Sequence, residues 1–440
     1  MKRIQRPASL RQRLKELEAS PPDSWAQTGR SARPNLHGLL RYPAMMVPRM
    51  QGDILDVVLG STSATCRITD PFVGSGTTMT EAMIRGLDFT GVDINPLAVM
   101  VCEAKAAIDG GLNVHSAIQT VLLRLSRDTQ ETIDVNFPGI EKWFDKDAAI
   151  YLSKIRRSIL AVADQPSRKV LWTVFADTLR LTSNSRTSTY KLHVRPDGDR
   201  VSASRIAEVF RYGLKELVDR AEEYIALVGE SRKRQPKYRI ICGDVRTARI
   251  PKSRTKHDVL VTSPPYGDNR TTIPYGQFSY LAVSWIPEAD LPEGWDHKLA
   301  RNYQALDSAS LGGSNADFES KHKNISEISP SYVKFMRSAA RLDRSLETRK
   351  VATFLSDYLD AFTRVKSSSS AGSHWIVTTG NRRAANLLVP LDEISVDIVH
   401  HLGGKCIASI RRALQNKRMP SRNSIGEMIT AETTLVAEFR

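Results

Sequence analysis

The feature that most constrains this chain is a short apolar segment that ends at two consecutive prolines. Residues Asp258-Val259-Leu260-Val261 lead directly into Thr262-Ser263-Pro264-Pro265-Tyr266. Such a run predicts a buried strand of a parallel sheet, and the prolines predict a rigid turn directly after it. In open α/β sheets ligands bind outside the carboxyl ends of the strands, so we expect the functional site at this turn.

The residues of this turn are suited to holding a flat group that carries an amine. The Ser263 hydroxyl and the carbonyls around Pro264 can accept hydrogen bonds from an exocyclic amine, and Tyr266 offers a ring on which a base can stack. Two acceptors on the amine hydrogens would turn the nitrogen lone pair toward an electrophile, without a covalent nucleophile. Pro-Pro turns also occur in ordinary loops, so the turn alone leaves a structural role open.

A second motif lies upstream and has the order strand, glycine turn, helix, strand, acid. It runs from Ile68-Thr69-Asp70-Pro71-Phe72-Val73-Gly74-Ser75-Gly76-Thr77-Thr78 to Asp93. Gly74 and Gly76 allow close approach of the backbone to a ligand, and Asp93 lies where a carboxylate would bind ribose hydroxyls. Met79 takes the third glycine position of the dinucleotide fingerprint, which favours a nucleoside ligand without a pyrophosphate, such as S-adenosylmethionine. A tight strand-to-helix turn is the structural alternative.

The charge of the chain favours a polyanionic partner. It has 440 residues and a net charge of +15, and each Lys or Arg near a phosphate gains by releasing a counterion. Between positions 231 and 256 a single acid, Asp244, is accompanied by ten basic residues, which are Arg232, Lys233, Arg234, Lys237, Arg239, Arg246, Arg249, Lys252, Arg254 and Lys256. This concentration next to the proposed site favours nucleic acid over a generally basic surface, which is the alternative.

The cysteines and the apolar segments restrict the cellular context. The four cysteines (Cys66, Cys102, Cys242 and Cys406) are scattered, which argues against a disulfide framework and against structural zinc. No segment approaches the roughly 18 apolar residues of a membrane span, and the basic N-terminus lacks the apolar stretch of a signal peptide. We therefore expect a cytoplasmic protein and no metal site.

The order of predicted elements indicates an α/β fold with two insertions. We divide the chain into an N-terminal helix and loop (1–34), a cofactor-binding half (35–109), a helical insertion (110–237), a catalytic half (238–286), a polar insertion (287–349) and the last part of the sheet (350–440). Either insertion is a candidate for target recognition, because both exceed an ordinary connection. Two late strands predict an antiparallel pair at the sheet edge.

The two motifs together resemble those of the amino-group DNA methyltransferases. In that family the first motif reads Asp-Pro-Phe-x-Gly-Ser-Gly-Thr and binds S-adenosylmethionine, and the second reads Asp/Asn/Ser-Pro-Pro-Tyr/Phe/Trp and holds the target amine. Both are present here, at Asp70 to Thr77 and Ser263 to Tyr266. The resemblance implies a Rossmann-like class I methyltransferase sheet, mostly parallel with an antiparallel edge strand, and a helical insertion.

The resemblance also implies a role for individual residues. The implied cofactor-binding residues are Tyr42, Ala44, Asp70, Phe72, Gly74, Ser75, Gly76, Thr77, Asp93 and Asp244. The implied catalytic residues, which hold the flipped base, are Ser263, Pro264, Pro265 and Tyr266. Within the first set, Asp93 is expected to bind the ribose and Asp244 the adenine amine.

The first residue of the second motif bears on the target base. Serine, as in Ser263, is usual in the cytosine-N4 branch of the family, whereas Asp or Asn is usual in the adenine-N6 branch. We therefore expect a site-specific enzyme that methylates the N4 amine of a cytosine flipped out of double-stranded DNA. Adenine-N6 methylation, methylation of an RNA base amine and a catalytically inactive nucleic-acid-binding protein stay open as alternatives. Cytosine-C5 methylation is disfavoured, because none of the four cysteines follows a proline.

The same resemblance bears on partners and location. The implied partner is double-stranded DNA, which would place the protein at the nucleoid in the cytoplasm. A cognate restriction endonuclease is a further partner that the family allows. The sequence leaves the oligomeric state open.

Overall fold

The computed structural model describes residues 8–62, 66–196, 200–229, 234–269, 272–300, 302–314, 316–342, 345–380, 382–384, 386–413 and 431–440. The strands of the main sheet are β1 (Cys66–Asp70), β2 (Asp88–Asp93), β3 (Tyr238–Cys242), β4 (His257–Thr262), β5 (Gly372–Gly380), β8 (Lys405–Ala413) and β9 (Ala431–Phe439). A separate hairpin consists of β6 (Arg382–Ala384) and β7 (Leu387–Val389).

Helices cover both faces of the main sheet and build the two insertions. Those of the first half are α1 (Leu10–Glu18), α2 (Pro48–Leu59), α3 (Thr77–Ile84), α4 (Pro96–Asp109), α5 (Val114–Arg127), α6 (Ile140–Trp143), α7 (Lys146–Leu160), α8 (Gln165–Thr182) and α9 (Ala203–Val228). Those of the second half are α10 (Tyr275–Trp285), α11 (Ala305–Ala309), α12 (Phe318–Ile328), α13 (Pro330–Arg341), α14 (Ser345–Ser368) and α15 (Leu391–His401).

The main sheet reverses its strand order beside β1. The order is β3-β2-β1-β4-β5-β9-β8, and strands β1 to β5 run parallel. Strand β9 is antiparallel to both β5 and β8, so the predicted antiparallel pair lies at the sheet edge. This topology confirms the predicted α/β class. Because the crossovers diverge between β1 and β4, a crevice for ligands opens at their carboxyl ends.

The two central strands bring the two sequence motifs together. Val259, Leu260 and Val261 in β4 are at most 2% exposed, as expected for a parallel strand covered by helices on both faces. Strand β4 pairs with β1 in register, with Thr69 opposite Leu260. Since parallel neighbours end at the same edge, Asp70 and the proline turn lie side by side.

The insertion between β2 and β3 is helical, as the sequence predicts. Its longest helix is α9, with 26 residues, and α5 has 14 residues. Leu152, Phe175 and Phe210 are fully buried among these helices, which explains why long amphipathic segments can form a stable subdomain here. The exact segment boundaries stay predictions.

Both polar segments after the proline turn contain helices. Helix α10 begins at Tyr275, nine residues after Tyr266. The polar insertion at 287–349 contains α11, α12 and α13. In α13 the buried residues Tyr332, Phe335 and Ala339 recur at helical spacing, so one apolar stripe packs inward while the other faces stay polar.

The basic segment between positions 231 and 256 is divided between the two ends of the sheet. Arg246 follows the carboxyl end of β3, near the proline turn. The exposed residues that precede the amino end of β3 or β4 are Arg234, Lys237, Lys252, Arg254 and Lys256. Six residues of β4, at about 3.3 Å each, separate that end from Ser263 by roughly 20 Å. The expectation that the whole cluster adjoins the site is therefore wrong, and Arg232 and Lys233 lie outside the described residues.

None of the helices in the described part of the chain combines the length and the apolar character that a membrane span requires.

Candidate active site

One cavity opens at the carboxyl edge of the sheet, at the point where the strand order reverses. It encloses about 870 Å³ including its open mouth, a size typical of ligand sites. Its wall comes from the glycine turn after β1, the ends of β2 and β3, the proline turn after β4, and segments 42–46 and 306–311. The two motifs therefore face one space, although they lie far apart along the chain.

Most of the predicted site residues line this cavity. Those in its wall are Tyr42, Ala44, Phe72, Gly74, Ser75, Thr77, Asp93, Asp244, Ser263 and Pro265. Those behind the wall are Asp70, Gly76, Pro264 and Tyr266, each of which contacts or adjoins a wall residue. The structure thus brings both predicted sets together, while the groups that each residue binds stay predictions.

The glycine turn depends on two left-handed residues and on a buried lysine. Gly74 and Gly76 have φ of 50° and 76°, and a Cβ on Gly76 would lie 2.8 Å from Cys102 Sγ. Beside the turn, Lys105 is 1% exposed. Its Nζ donates to the Gly76 carbonyl at 3.2 Å and to Thr80 Oγ1 at 2.9 Å, and burial lowers the pKa of this amine to about 8. Lys105 therefore ties the turn to α4.

Asp93, at the end of β2, joins the glycine turn to the next loop. Its two oxygens accept hydrogen bonds from the backbone N–H groups of Gly74 and Asn95, each at 2.8 Å. Burial raises the pKa of Asp93 to about 6, and these bonds act in the opposite direction. Because a carboxylate offers about four lone-pair sites, each oxygen keeps one acceptor site for a ligand in the cavity.

The segment before α2 closes one side of the cavity with aromatic rings. Tyr42 stacks on Tyr275 with ring centroids 5.7 Å apart and meets Phe278 edge-on at 5.4 Å. The Tyr42 hydroxyl accepts from Asn95 Nδ2 at 2.9 Å. Ala44 has φ of 48°, which is a strained conformation for a residue with a Cβ. Strain of this kind clusters at ligand sites, so it supports the prediction that this segment contacts the cofactor.

Asp244 lies in the cavity wall, but its carboxylate already has partners. Both oxygens pair with the Arg246 guanidinium at 2.6 to 3.0 Å, and Oδ1 also accepts from the Arg246 backbone N–H at 2.9 Å. Arg246 also pairs with Asp357 at 2.7 Å. This geometry matches the structural alternative of a turn aspartate, and the contact to an adenine amine stays a prediction.

Asp70 connects the two motifs from behind the cavity. Its side chain is fully buried, and Oδ1 accepts from Thr262 Oγ1 at 2.6 Å and from the Phe72 N–H at 3.0 Å. Burial raises the pKa of Asp70 to about 6. Because Thr262 directly precedes Ser263, this carboxyl holds the proline turn against the glycine turn. A direct contact between Asp70 and the cofactor stays a prediction.

Tyr266 does not have both ring faces free. Its ring packs against Gly380 at the end of β5, and the contact leaves no room for a Cβ at that glycine. Its hydroxyl lies 3.2 Å from Ser263 Oγ and donates to Glu432 Oε1 at 3.2 Å. The stacking of a base on Tyr266 therefore stays a prediction.

The cavity also contains residues that the sequence-based assignment missed. Asn269 lies in the wall and is 4% exposed, and its Oδ1 has no hydrogen-bond partner within the described part of the chain. Tyr275 and the segment 306–311 also contribute to the wall. Asp307 accepts from the Gly276 N–H at 2.8 Å and so caps α10. The position of Asn269 shortly after the proline turn is the sequence signal that could have pointed to it.

The chain is similar to a known methyltransferase along most of its length. The Type II methyltransferase M.MvaI of Kocuria varians is 28% identical over 408 residues, which cover 87% of this chain and 85% of the relative. No family model matches the sequence. This similarity supports the resemblance of the chain to the DNA methyltransferases.

S-adenosylmethionine is the methyl donor of this family, and the cavity fits it. The oxygens of Asp93 retain acceptor sites for two ribose hydroxyls. The left-handed Gly74 lets the backbone approach a ligand closely. Ile94, Val245 and Leu311 supply apolar wall on which a purine can lie. These residues would hold the donor between the ends of β2 and β3.

Proposed function

We propose that the protein transfers a methyl group from S-adenosylmethionine to the N4 amine of a cytosine flipped out of duplex DNA. The observation that carries this proposal is that Ser263 and Pro265 share one cavity with Gly74 and Asp93. An amine bound at Ser263 is therefore adjacent to a donor bound at Asp93. Serine in this position favours cytosine, since it is usual in the cytosine-N4 branch of the family.

The chain positions the amine and accepts its hydrogens. In the proposed complex the Ser263 hydroxyl and the Pro264 carbonyl each accept one N–H, which turns the nitrogen lone pair toward the cofactor side of the cavity. When bound, S-adenosylmethionine supplies a methyl group on a positively charged sulfur. In the proposed transfer the nitrogen–carbon bond would form as the carbon–sulfur bond breaks, and the proton that the nitrogen loses would pass to water. Orientation of the two reactants supplies most of the acceleration.

The surface beside the cavity suits a polyanion. The segment 183–196 packs on the first turns of α10, where the Tyr190 ring meets Phe278 edge-on at 6.1 Å. Its exposed side chains include Arg186 and His193, which can bind phosphates without reading sequence. Flipping a base costs a few kcal/mol, which such contacts and stacking offset. We propose that this segment contacts DNA next to the flipped base.

Target recognition is assigned to the two insertions as a proposal. The helical insertion (110–237) reaches the edge of the site through segment 183–196, and the polar insertion (287–349) reaches it through segment 306–311. Both therefore have surfaces beside the DNA that the cavity would hold. Substitution of residues that contact bases should change the DNA sequence that is methylated. Substitution of residues that contact phosphates should change the affinity for DNA alone.

Adenine-N6 methylation is the second candidate, because adenine also carries an exocyclic amine that the same acceptors can bind. Methylation of an RNA base amine would appear as a preference for folded RNA over duplex DNA. An inactive nucleic-acid-binding protein would bind DNA and transfer no methyl group to any substrate.

The relative carries the name of a Type II methyltransferase. For this chain we propose a modification enzyme of a restriction-modification system, which acts on DNA in the cytoplasm. A cognate restriction endonuclease is the partner that such a system would include.

Ser263→Ala tests the proposed division of roles. The substitution removes one acceptor of the amine, so turnover on duplex DNA should fall roughly 30- to 100-fold. The dissociation constant of S-adenosylmethionine, measured by calorimetry, should change less than about twofold. Ser284→Ala is the matched control, because Ser284 is also partly buried and its hydroxyl donates to the Tyr280 carbonyl, away from the cavity. An equal loss of cofactor affinity in Ser263→Ala would contradict the proposal.

A further inference from the structure

A chain of hydrogen bonds leads from Ser263 away from the cavity to a carboxylate on the neighbouring strand. Tyr266 Oη lies 3.2 Å from Ser263 Oγ and donates to Glu432 Oε1 at 3.2 Å. The other oxygen of Glu432 accepts from Arg412 Nη2 at 2.6 Å. The ion pair is mostly enclosed, with 15% and 19% of the two side chains exposed.

The direction of each hydrogen bond in this chain follows from its last member. A carboxylate can only accept, so Tyr266 must donate its one hydroxyl hydrogen to Glu432. Burial, and after it the charge of Glu432, raise the pKa of Tyr266 well above its ordinary value, so the hydroxyl keeps that hydrogen. The remaining lone pairs of Tyr266 Oη can then only accept, and Ser263 must donate to Tyr266.

This direction determines what Ser263 presents to the cavity. Its one hydroxyl hydrogen is used by Tyr266, so its oxygen faces the ligand with lone pairs alone. Such an oxygen binds a group that donates, such as an amine, and disfavours a carbonyl oxygen. A site with a fixed acceptor can reject the analogue that lacks the matching donor, because the buried acceptor would stay unpaired.

We infer that Glu432 is a positioning residue that sets the hydrogen-bond polarity of Ser263, through Tyr266, and thereby selects an amine-bearing base over a carbonyl-bearing one. The inference rests on the proposed function and deepens it. Arg412 pairs with the carboxylate and orients it, and Gly380 leaves room for the Tyr266 ring close to both partners.

Glu432→Gln tests this inference, because a glutamine amide can donate to Tyr266 Oη and so reverse the direction of both hydrogen bonds. Turnover on duplex DNA should fall about 10- to 50-fold, while the dissociation constant of S-adenosylmethionine stays within about twofold. Glu438→Gln is the matched control, since Glu438 lies on the same strand at the opposite end and pairs with Arg440. It should leave both quantities unchanged.

A second measurement separates polarity from general structural support. The methylated site is first located by sequencing. Two duplexes are then made that differ only at the target position, where one carries the unmethylated target base and the other carries its carbonyl counterpart, which is uracil for cytosine and hypoxanthine for adenine. The dissociation constant of the carbonyl-bearing duplex, divided by that of the amine-bearing duplex, should be at least roughly tenfold lower in Glu432→Gln than in the wild type. Any effect of the mismatch itself cancels, because both proteins bind the same two duplexes.

Tyr266→Phe provides an independent variant that keeps the ring and removes the hydroxyl. Adding Glu432→Gln to it should cause no further loss of turnover, because the two residues act through one hydrogen bond. The inference is overturned if Glu432→Gln keeps the turnover and the ratio of the wild type, or if it loses cofactor affinity in parallel with turnover. Absence of methylation by the wild type would instead refute the proposed function, and the inference with it.

Discussion

Replacing Asp93 with Asn should weaken S-adenosylmethionine binding by about 2 to 3 kcal/mol, or roughly 30- to 150-fold. Each carboxylate oxygen accepts one backbone N–H, from Gly74 and from Asn95, at 2.8 Å. One acceptor site per oxygen is left for the two ribose hydroxyls, and a hydrogen bond to a charged acceptor contributes about 1.5 to 3 kcal/mol. Asparagine keeps one oxygen, so one ribose bond loses its acceptor and the other loses its charge.

The same substitution should change stability much less than affinity. Burial raises the pKa of Asp93 from 3.8 to about 6, so at neutral pH the folded protein bears a cost of about 3 kcal/mol for keeping the carboxylate ionised. Asparagine removes that cost, but its amide nitrogen leaves one backbone N–H without an acceptor, at about 1 to 3 kcal/mol. Because the two effects oppose each other, the free energy of unfolding should change by less than about 2 kcal/mol.

Calorimetric titration of the full-length proteins with S-adenosylmethionine measures this difference directly. Asp88→Asn is the matched control, because Asp88 lies at the other end of the same strand and pairs with Arg234. The control should bind the cofactor within about twofold of the wild type. If Asp93→Asn binds S-adenosylmethionine as tightly as the wild type and is equally stable, Asp93 does not belong to the cofactor site and the reasoning is refuted.

Three further predictions concern the groups around the cavity. Affinity for S-adenosylmethionine should rise between about pH 5 and about pH 7, because the pKa of Asp93 is about 6 and the ionised form is the better acceptor; titrations of Asp93→Asn should show a smaller rise, since Asp70 also has a pKa of about 6. Burial lowers the pKa of Lys105 from 10.5 to about 8, so the unfolded chain binds more protons between these values and stability should rise with pH there, by up to about 3 kcal/mol. Urea titrations should show this rise relative to Lys105→Met, and parallel curves would contradict it. Gly380→Ala should displace the Tyr266 ring and lower turnover at least roughly tenfold, with cofactor affinity unchanged; wild-type turnover would show that the ring position is unimportant.

Elements whose limits depend on local chemistry could be predicted from the sequence. Helix α2 begins at Pro48, which suits the first turn of a helix, and its C-cap is Gly60. Strand β4 ends where predicted, since Pro264 and Pro265 cannot continue a ladder. In the same way, Gly74 and Gly76 adopt the left-handed conformations that their motif requires.

The side on which the basic residues lie follows from the order of the predicted elements. Lys252 to Lys256 precede β4 and Ser263 follows it, so the strand places them at opposite ends of the sheet. Closeness in sequence alone led to the wrong expectation. In α13 the buried residues Tyr332, Phe335 and Ala339 have the i, i+3, i+7 spacing of an amphipathic helix, so this element also has a signal in the sequence.

Contacts between distant segments also escaped the sequence analysis. The partner of Tyr266, Glu432, lies 166 positions away on β9, and only the antiparallel placement of β9 beside β5 brings the two together. Asn269 carries no motif of its own, and its Oδ1, which has no hydrogen-bond partner among the described residues, becomes notable only once its burial in the cavity wall is known. Motifs therefore located the site, while the residues that orient it required the fold.

The most direct test of the central claim is the identity of the methylated nucleoside. The protein would be incubated with S-adenosylmethionine and either mixed-sequence duplex DNA or total RNA, and the nucleic acid would then be digested to nucleosides for mass spectrometry. We predict N4-methylcytosine in the DNA, and its loss in Ser263→Ala. N6-methyladenine in the DNA would keep the geometry but contradict the target base, and methylation confined to RNA would contradict the proposed substrate.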